Sequence, residues 1–509
     1  MTDPSVEKPA SAEELEYNNA TNHKIPAPTI LAQNNEELAQ FYASFEQKDE
    51  EWKSHMDRLV TRKIDIKLLP MLGLMYLLNF LDRSNLAQAR QGTLEEDLNM
   101  TGTDYNLATS ILFVGYLLMQ LPSNLLITRI RPSVFLGCAM AVWGLISGLQ
   151  ACLQSFGGLI ACRFTLGIVE APFFPGAVFL MSSWYRRPQL GLRIAIFYCG
   201  NAIAQMFGGL LGAGVLGNMH NAHGIAGWRW LFIIEGSITV GVSIVSAFIL
   251  PNFPSSACKW LTPEQHAFAQ WRVAVDSHES DDLGSVTVKD GLLMALRDYR
   301  LYVFLFLQHT SLLTQTFQYF FPAIVNSLGY GKIESLLLTA PVWFATFLVS
   351  LLVTYTSGRF HDHAWHIFTL LLISCLGNII MISTLNTGAR FFAMFLLPIG
   401  AYSAYEIIVA WVANSFPRPT VKRSATVAIC NMFGNTATIY GAYMYTDGPR
   451  YVAGGAAVAG VCVVVAVTAL CIRVILRRQN SQLEKSENEK IASGIDPLTI
   501  NAYGFRYIL

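Results

Sequence analysis

Charge is scarce in this sequence: 14% of its 509 residues are Asp, Glu, Lys or Arg, while 53% are hydrophobic. An average soluble protein carries about 25% charged residues. A chain this apolar lacks the polar surface a water-soluble fold needs, which leaves the membrane class. Basic and acidic residues balance at 35 each, so no cationic excess points to a nucleic-acid partner. The first residues, MTDPSVEKPASAEELEY, are polar and acidic, so no cleavable leader is expected and the first apolar helix must act as the targeting signal. The nine cysteines lie singly, without metal-ligand spacing. No histidine cluster or nucleophile motif is found either. Metal, cofactor and catalytic residues are therefore not expected.

What the chain has instead is long apolar runs. They are read as spans at 68–88, 105–127, 133–153, 158–181, 190–216 and 228–250, then 301–325, 335–357, 365–385, 390–413, 423–446 and 452–475. Each meets the length of about 20 residues that the hydrocarbon core demands. The expected fold is an all-α membrane protein, with twelve transmembrane helices in two six-helix bundles. The expected organisation is a disordered tail over 1–50, a first bundle over 51–250, a linker over 251–300, a second bundle over 301–476 and a tail over 477–509. Two such halves facing one another recur in secondary transporters.

Basic residues of short loops set orientation. Arg58, Arg62, Lys63, Lys67, Arg129, Arg131, Arg186 and Arg187 fall on one side, with the linker basics, Arg359, Lys422, Arg477 and Arg478. The other side receives roughly one per loop. Both termini are expected in the cytoplasm, and Asn99-Met100-Thr101 on the outer side is a candidate glycosylation acceptor.

Charges inside the runs matter most. The first span reads LLPMLGLMYLLNFLDRSNLAQAR and places Asn79, Asp82 and Arg83 in one helix. The fourth carries Arg163 and Glu170, seven residues and so nearly two turns apart, on the same face. A rise of 1.5 Å per residue puts them about 8 and about 18 Å deep. Such charges are costly unless they face a protein interior or a wet path. Structural ion pairing between the first and fourth spans is one reading. The other is an anion site with a proton site beside it: an arginine fork matches a carboxylate, and a buried carboxyl can exchange a proton. Glu170 is the first choice for that proton. Asp82 is expected to stay ionised and to orient Arg83, although helical neighbours stand about 100° apart. Pro172 and Pro175 weaken the fourth helix just beyond Glu170.

The second half has few charges, with Glu406 as a possible second acidic site. Gln315 and Tyr319 in the seventh span, Tyr405 in the tenth and Asn431 in the eleventh are expected to form the far wall of a cavity. Glycines of the fifth and eleventh spans mark close helix approach and suggest a moving interface between bundles.

At these residues the chain resembles the major facilitator superfamily. Within it, it resembles the anion:cation symporter family, especially the fungal branch of allantoate, nicotinate, pantothenate and biotin permeases. NFLDRSNLAQAR (79–90) carries the most specific match, followed by RFTLGIVEAPFFPG (163–176) and GWRWLFIIEG (227–236). The stretch 121–132 lacks the acidic residue and glycines of the general superfamily pattern. The resemblance implies that Arg83 contacts an anionic substrate, that Asp82 couples protons or positions Arg83, and that Arg163 and Glu170 serve substrate, gating and protonation. Some relatives carry an arginine in the seventh span. Gln308 and His309 stand near that place here, implying one carboxylate and a polar or aromatic remainder.

The resulting expectation is proton-coupled symport of a small organic anion by alternating access. Its partners are the anion, the proton and the lipid bilayer, and the protein is expected to be a monomer. Export, or nutrient sensing without transport, are the alternatives. The cell membrane is the expected location, with an internal membrane as the alternative.

Overall fold

A computed structural model describes residues 36–127, 130–256, 260–278, 288–360, 362–416, 420–445, 450–493 and 506–509. Residues 1–35 of the expected tail lie outside them. Within that tail, however, Glu36–Glu46 forms a helix, α1. Tyr42 and Phe45 are buried, and the Phe45 ring packs on Trp52 and on Phe268 and Trp271 of the linker. Expected disorder to residue 50 is thus corrected: three aromatic residues among polar ones suffice to fold this turn of chain once the linker supplies the opposite face.

The first span is part of a 40-residue helix, α2 (Glu50–Ala89), capped by Asp49 accepting from Trp52 N–H at 3.1 Å. At 1.5 Å per residue it is about 60 Å long, twice the hydrocarbon thickness. α3 (Asp104–Ile127), α4 (Pro132–Leu149), α5 (Phe156–Glu170) with α6 (Phe173–Trp184), α7 (Arg187–Asn218) and α8 (Gly227–Ile249) complete the first bundle. The linker holds α9 (Pro263–His278), which packs on α1 and α2, and α10 (Val288–Arg297), which packs on the second bundle. Arg272 of α9 is buried and donates to Asp57 (2.7 Å), Thr61 (2.5 Å) and the Trp184 carbonyl (2.9 Å).

The second bundle comprises α11 (Tyr299–Leu313) continued by α12 (Phe321–Asn326), α13 (Lys332–Phe360), α14 (His363–Ser383), α15 (Thr387–Ser415), α16 (Thr420–Asn435) continued by α17 (Ala437–Gly441), and α18 (Val452–Ala492). Nine helices among the described residues are long and apolar enough to cross a membrane. α3 and the two interrupted runs, α11–α12 and α16–α17, complete the twelve.

The interruptions have local causes. Pro172 takes an amide donor out of the ladder between α5 and α6. After Leu313, Thr314 and Thr316 bond back to carbonyls three residues earlier, at 2.7 and 2.8 Å. Thr436 and Thr438 do the same at 2.6 Å. Such bonds compete with the helical ladder.

The bundles meet where α7 packs on α13 and α3 on α17. A methyl added at Gly209 would lie 2.8 Å from the Leu336 carbonyl oxygen, so glycine permits that approach. Gly434 and Gly441, by contrast, pack on α11 inside their own bundle, which removes the eleventh-span glycines from the inter-bundle interface. Tyr105 donates to the Tyr319 carbonyl (2.6 Å), Asn106 to Ala442 (2.7 Å) and Ser110 to Ile439 (2.6 Å). All three bonds cross between bundles at the end remote from the linker.

Candidate functional site

Between the bundles lies a cavity with about 740 Å³ of empty space, open solvent at its mouth included. The irregular backbone after Leu313 and around Asn435 lies against it, as unwound chain in a membrane must.

Of the residues singled out from sequence, Asn79, Arg83, Gln315, Tyr319, Tyr405, Glu406 and Asn431 all line this cavity. Arg83 comes from the first bundle and Glu406 from the second. Gln205 and Gln318 bridge the two at 3.0 Å, and Gln318 accepts from the Tyr402 hydroxyl.

Arg163, Glu170 and Asp82 do not line it. Glu170 has no exposed surface, and its Oε2 accepts from Arg83 Nε at 2.5 Å. The pair ties α2 to α5, and its arginine end is the one that reaches the cavity. Arg163, 2% exposed, stands behind and donates through Nη2 to the Arg83 carbonyl at 3.3 Å. Its Nε and Nη1 have no hydrogen-bond partner among the described residues, and neither does Glu170 Oε1. The Arg83 guanidinium also lies 4.7 Å from the Tyr116 ring centre and 5.6 Å from that of Phe80.

Asp82 turns the other way. Its oxygens accept from Ser147 (2.7 Å) and Thr239 (3.0 Å), on α4 and α8. It therefore does not orient Arg83 directly. One turn before Thr239 stands Glu235, 2% exposed, whose oxygens have no hydrogen-bond partner among the described residues. Sequence reasoning quoted Glu235 inside a motif and assigned it nothing.

It also missed the aromatic wall: Tyr76, Phe80, Tyr116, Phe174 and Tyr198 of the first bundle all line the cavity. A signal was present, because Tyr76, Asn79, Phe80 and Arg83 follow the spacing of one helical face. His309 lies outside the cavity and bonds Tyr440 (2.7 Å). Asn99 is exposed and holds a left-handed φ of 52° at the end of a short turn, a conformation asparagine tolerates.

The sequence profile described as Major Facilitator Superfamily matches residues 72–442. The MFS-type transporter cnsO of Penicillium expansum is 32% identical over 83% of this chain and 83% of its own. The MFS-type transporter efuF of Hormonema carpetanum is 33% identical over 77% of this chain and 80% of its own. The major facilitator-type transporter hxnP of Emericella nidulans is 31% identical over 86% and 89%. Among solved structures, a bacterial homolog to the human lysosomal transporter Spinster, inward-facing and occupied, superposes with a TM-score of 0.58. That match has 17% identity and covers 79% of this chain and 95% of the other, and so it speaks for the fold alone.

Proposed function

The chain belongs to the major facilitator superfamily, and on that premise we propose that it is a proton-coupled symporter of a small organic anion working by alternating access. The motif resemblance to the anion:cation symporter family supports the substrate class. The observation that carries the reading is the Arg83–Glu170 pair, whose arginine end faces the cavity while its carboxylate end is sealed behind.

That geometry makes anion and proton mutually dependent. Glu170 holds Arg83 through Nε alone, which leaves the Nη groups to draw a substrate carboxylate and pull the guanidinium toward the cavity. In this reading that pull breaks the Nε contact and leaves Glu170 a buried charge without its partner, which costs several kcal/mol. Binding a proton relieves that cost. Arg163, whose Nε and Nη1 have no hydrogen-bond partner among the described residues, adds positive potential behind the pair. The aromatic wall receives the remainder of the solute. Rocking of the bundles then exposes the site to the opposite face. A monoanion moving with one proton is electroneutral, so the membrane potential does not oppose uptake. In this reading the termini and linker face the cytoplasm, the protein is a monomer in the cell membrane, and Asn99 stands outside as a candidate glycosylation acceptor.

The test is isotope uptake in vesicles under imposed pH gradients, wild type beside Glu170→Gln. Gradient-driven accumulation in wild type that becomes indifferent to pH in the variant is expected. Uptake indifferent to pH in both would sink the coupling.

A further inference from the structure

Residues 506–509 return to the second bundle at the end that carries α10, and every one of them makes a directed contact there. Arg506 forks onto Glu487 with Nη1–Oε1 at 3.0 Å and Nη2–Oε2 at 2.8 Å. The Tyr507 main chain exchanges two hydrogen bonds with the Asn480 side chain: its N–H donates to Oδ1 (2.8 Å) and its carbonyl accepts from Nδ2 (2.9 Å). The Tyr507 ring centre lies 5.2 Å from the Arg300 guanidinium. Trp411 Nε1 donates to the Ile508 carbonyl at 2.9 Å. A main-chain oxygen of Leu509 accepts from the amides of His363 and Ala364, in the first turn of α14.

These groups come from α11, α14, α15 and α18, four different helices of one bundle. The asparagine exchange and the bonds to the Ile508 and Leu509 main-chain oxygens read main chain. The glutamate and the Arg300 face read side chains. Contacts to both main chain and side chains are what recognition of a short peptide requires.

From this arrangement we infer that the end of the second bundle is a peptide-binding cleft, and that residues 506–509 are its built-in ligand. The cleft takes a short extended segment with a cationic residue followed by an aromatic and two aliphatic ones. Occupied, it clamps four helix ends together. α15 is one of them, and six residues before Trp411 it carries Tyr405 into the cavity wall. Release of the segment therefore loosens a helix on which the proposed transport cycle depends, a consequence that rests on that reading while the cleft itself does not.

A covalently attached ligand competes at an effective concentration on the order of millimolar. The full chain should accordingly exclude an added peptide that a shortened chain accepts. The experiment uses purified protein in detergent, full length and ending at residue 505, titrated with a fluorescein-labelled synthetic peptide of residues 505–509 and read by anisotropy. Saturable binding to the shortened chain, at least about tenfold tighter than to the full chain, is expected. Asn480→Ala in the shortened chain should weaken it about tenfold. Equal binding to both chains, or no saturable binding to a monodisperse shortened chain, overturns the inference. Should the shortened chain aggregate, full-length Arg506→Ala/Tyr507→Ala replaces it. That variant must admit the peptide where wild type does not, and its failure to do so overturns the inference equally. No transport step enters this assay, so its outcome is independent of the Glu170→Gln uptake result.

Discussion

Nε of Arg83 stands 2.5 Å from Oε2 of Glu170, at the boundary between a solvent-reachable cavity and a sealed interior. Deleting the arginine alone strands the carboxylate, which costs about 3–5 kcal/mol for a buried pair. Arg83→Met should therefore destabilise the protein more than the double variant Arg83→Met/Glu170→Gln, which strands nothing charged. Thermal unfolding of purified protein, followed by tryptophan fluorescence, checks this. Additive losses would show that the two groups are energetically independent.

A second contrast lies behind the pair. Asp82 satisfies two hydroxyl donors, whereas Glu235, a short distance along α8, satisfies none among the described residues. A buried polar group without a partner costs about 1–3 kcal/mol. Glu235→Met should leave stability unchanged or raise it, while Asp82→Leu should lower it. If proton coupling involves Glu235, uptake by the Glu235→Met variant loses its pH dependence while its folding is intact, which separates a functional carboxyl from a merely costly one.

Gly209 sets how closely α7 approaches α13. Gly209→Leu should part the bundles at the end remote from the linker and break the seal made by Tyr105, Asn106 and Ser110. In a background without native cysteines, Asn106→Cys should react with a membrane-impermeant maleimide at least about tenfold faster when Gly209→Leu is added, a shift of about 1.4 kcal/mol in the opening equilibrium. An unchanged rate would mean that the α7–α13 contact does not hold the seal.

Asp298 caps α11 and joins it to α16. It bonds Arg300 (2.7 Å) and Lys422 (2.6 Å). Desolvation works against its charged form, but these hydrogen bonds prevail and hold its carboxyl down from 3.8 to about 2. A depressed carboxyl stabilises the fold at pH values above its unfolded titration and loses that contribution as pH falls through its folded one. The stability gap between wild type and Asp298→Asn should be constant from pH 5 to 8 and close as pH drops from about 4 towards 2. A gap that persists to pH 2 would place the stabilisation elsewhere.

Much of this architecture could be read from the residues. The apolar runs gave the spans, and helical spacing set Arg163 and Glu170 on one face. Which way Asp82 and Arg83 point could not be read, because neighbours 100° apart are equivalent until a bundle forms around them. The Ser147 and Thr239 hydroxyls that claim Asp82 lie on α4 and α8, 65 and 157 residues along the chain. Glu235 sits inside an apolar stretch whose periodicity marks it as buried without saying beside what. The breaks after Leu313 and Asn435 depend on hydroxyls bonding back to the chain, a choice threonine makes in some helices and not others. α1 looked disordered because its partner surface, Phe268 and Trp271, comes from the linker.

The single helix α2 joins the linker contact at Asp57 to the guanidinium of Arg83, with Pro70 midway, thirteen residues from each. Proline withholds one rung of the ladder, so flexure concentrates there. Arms of roughly 20 Å extend on either side of it. A sideways shift of about 2 Å where α9 grips Asp57 is then taken up at Pro70. Movement of the linker is thereby buffered from the guanidinium that faces the cavity.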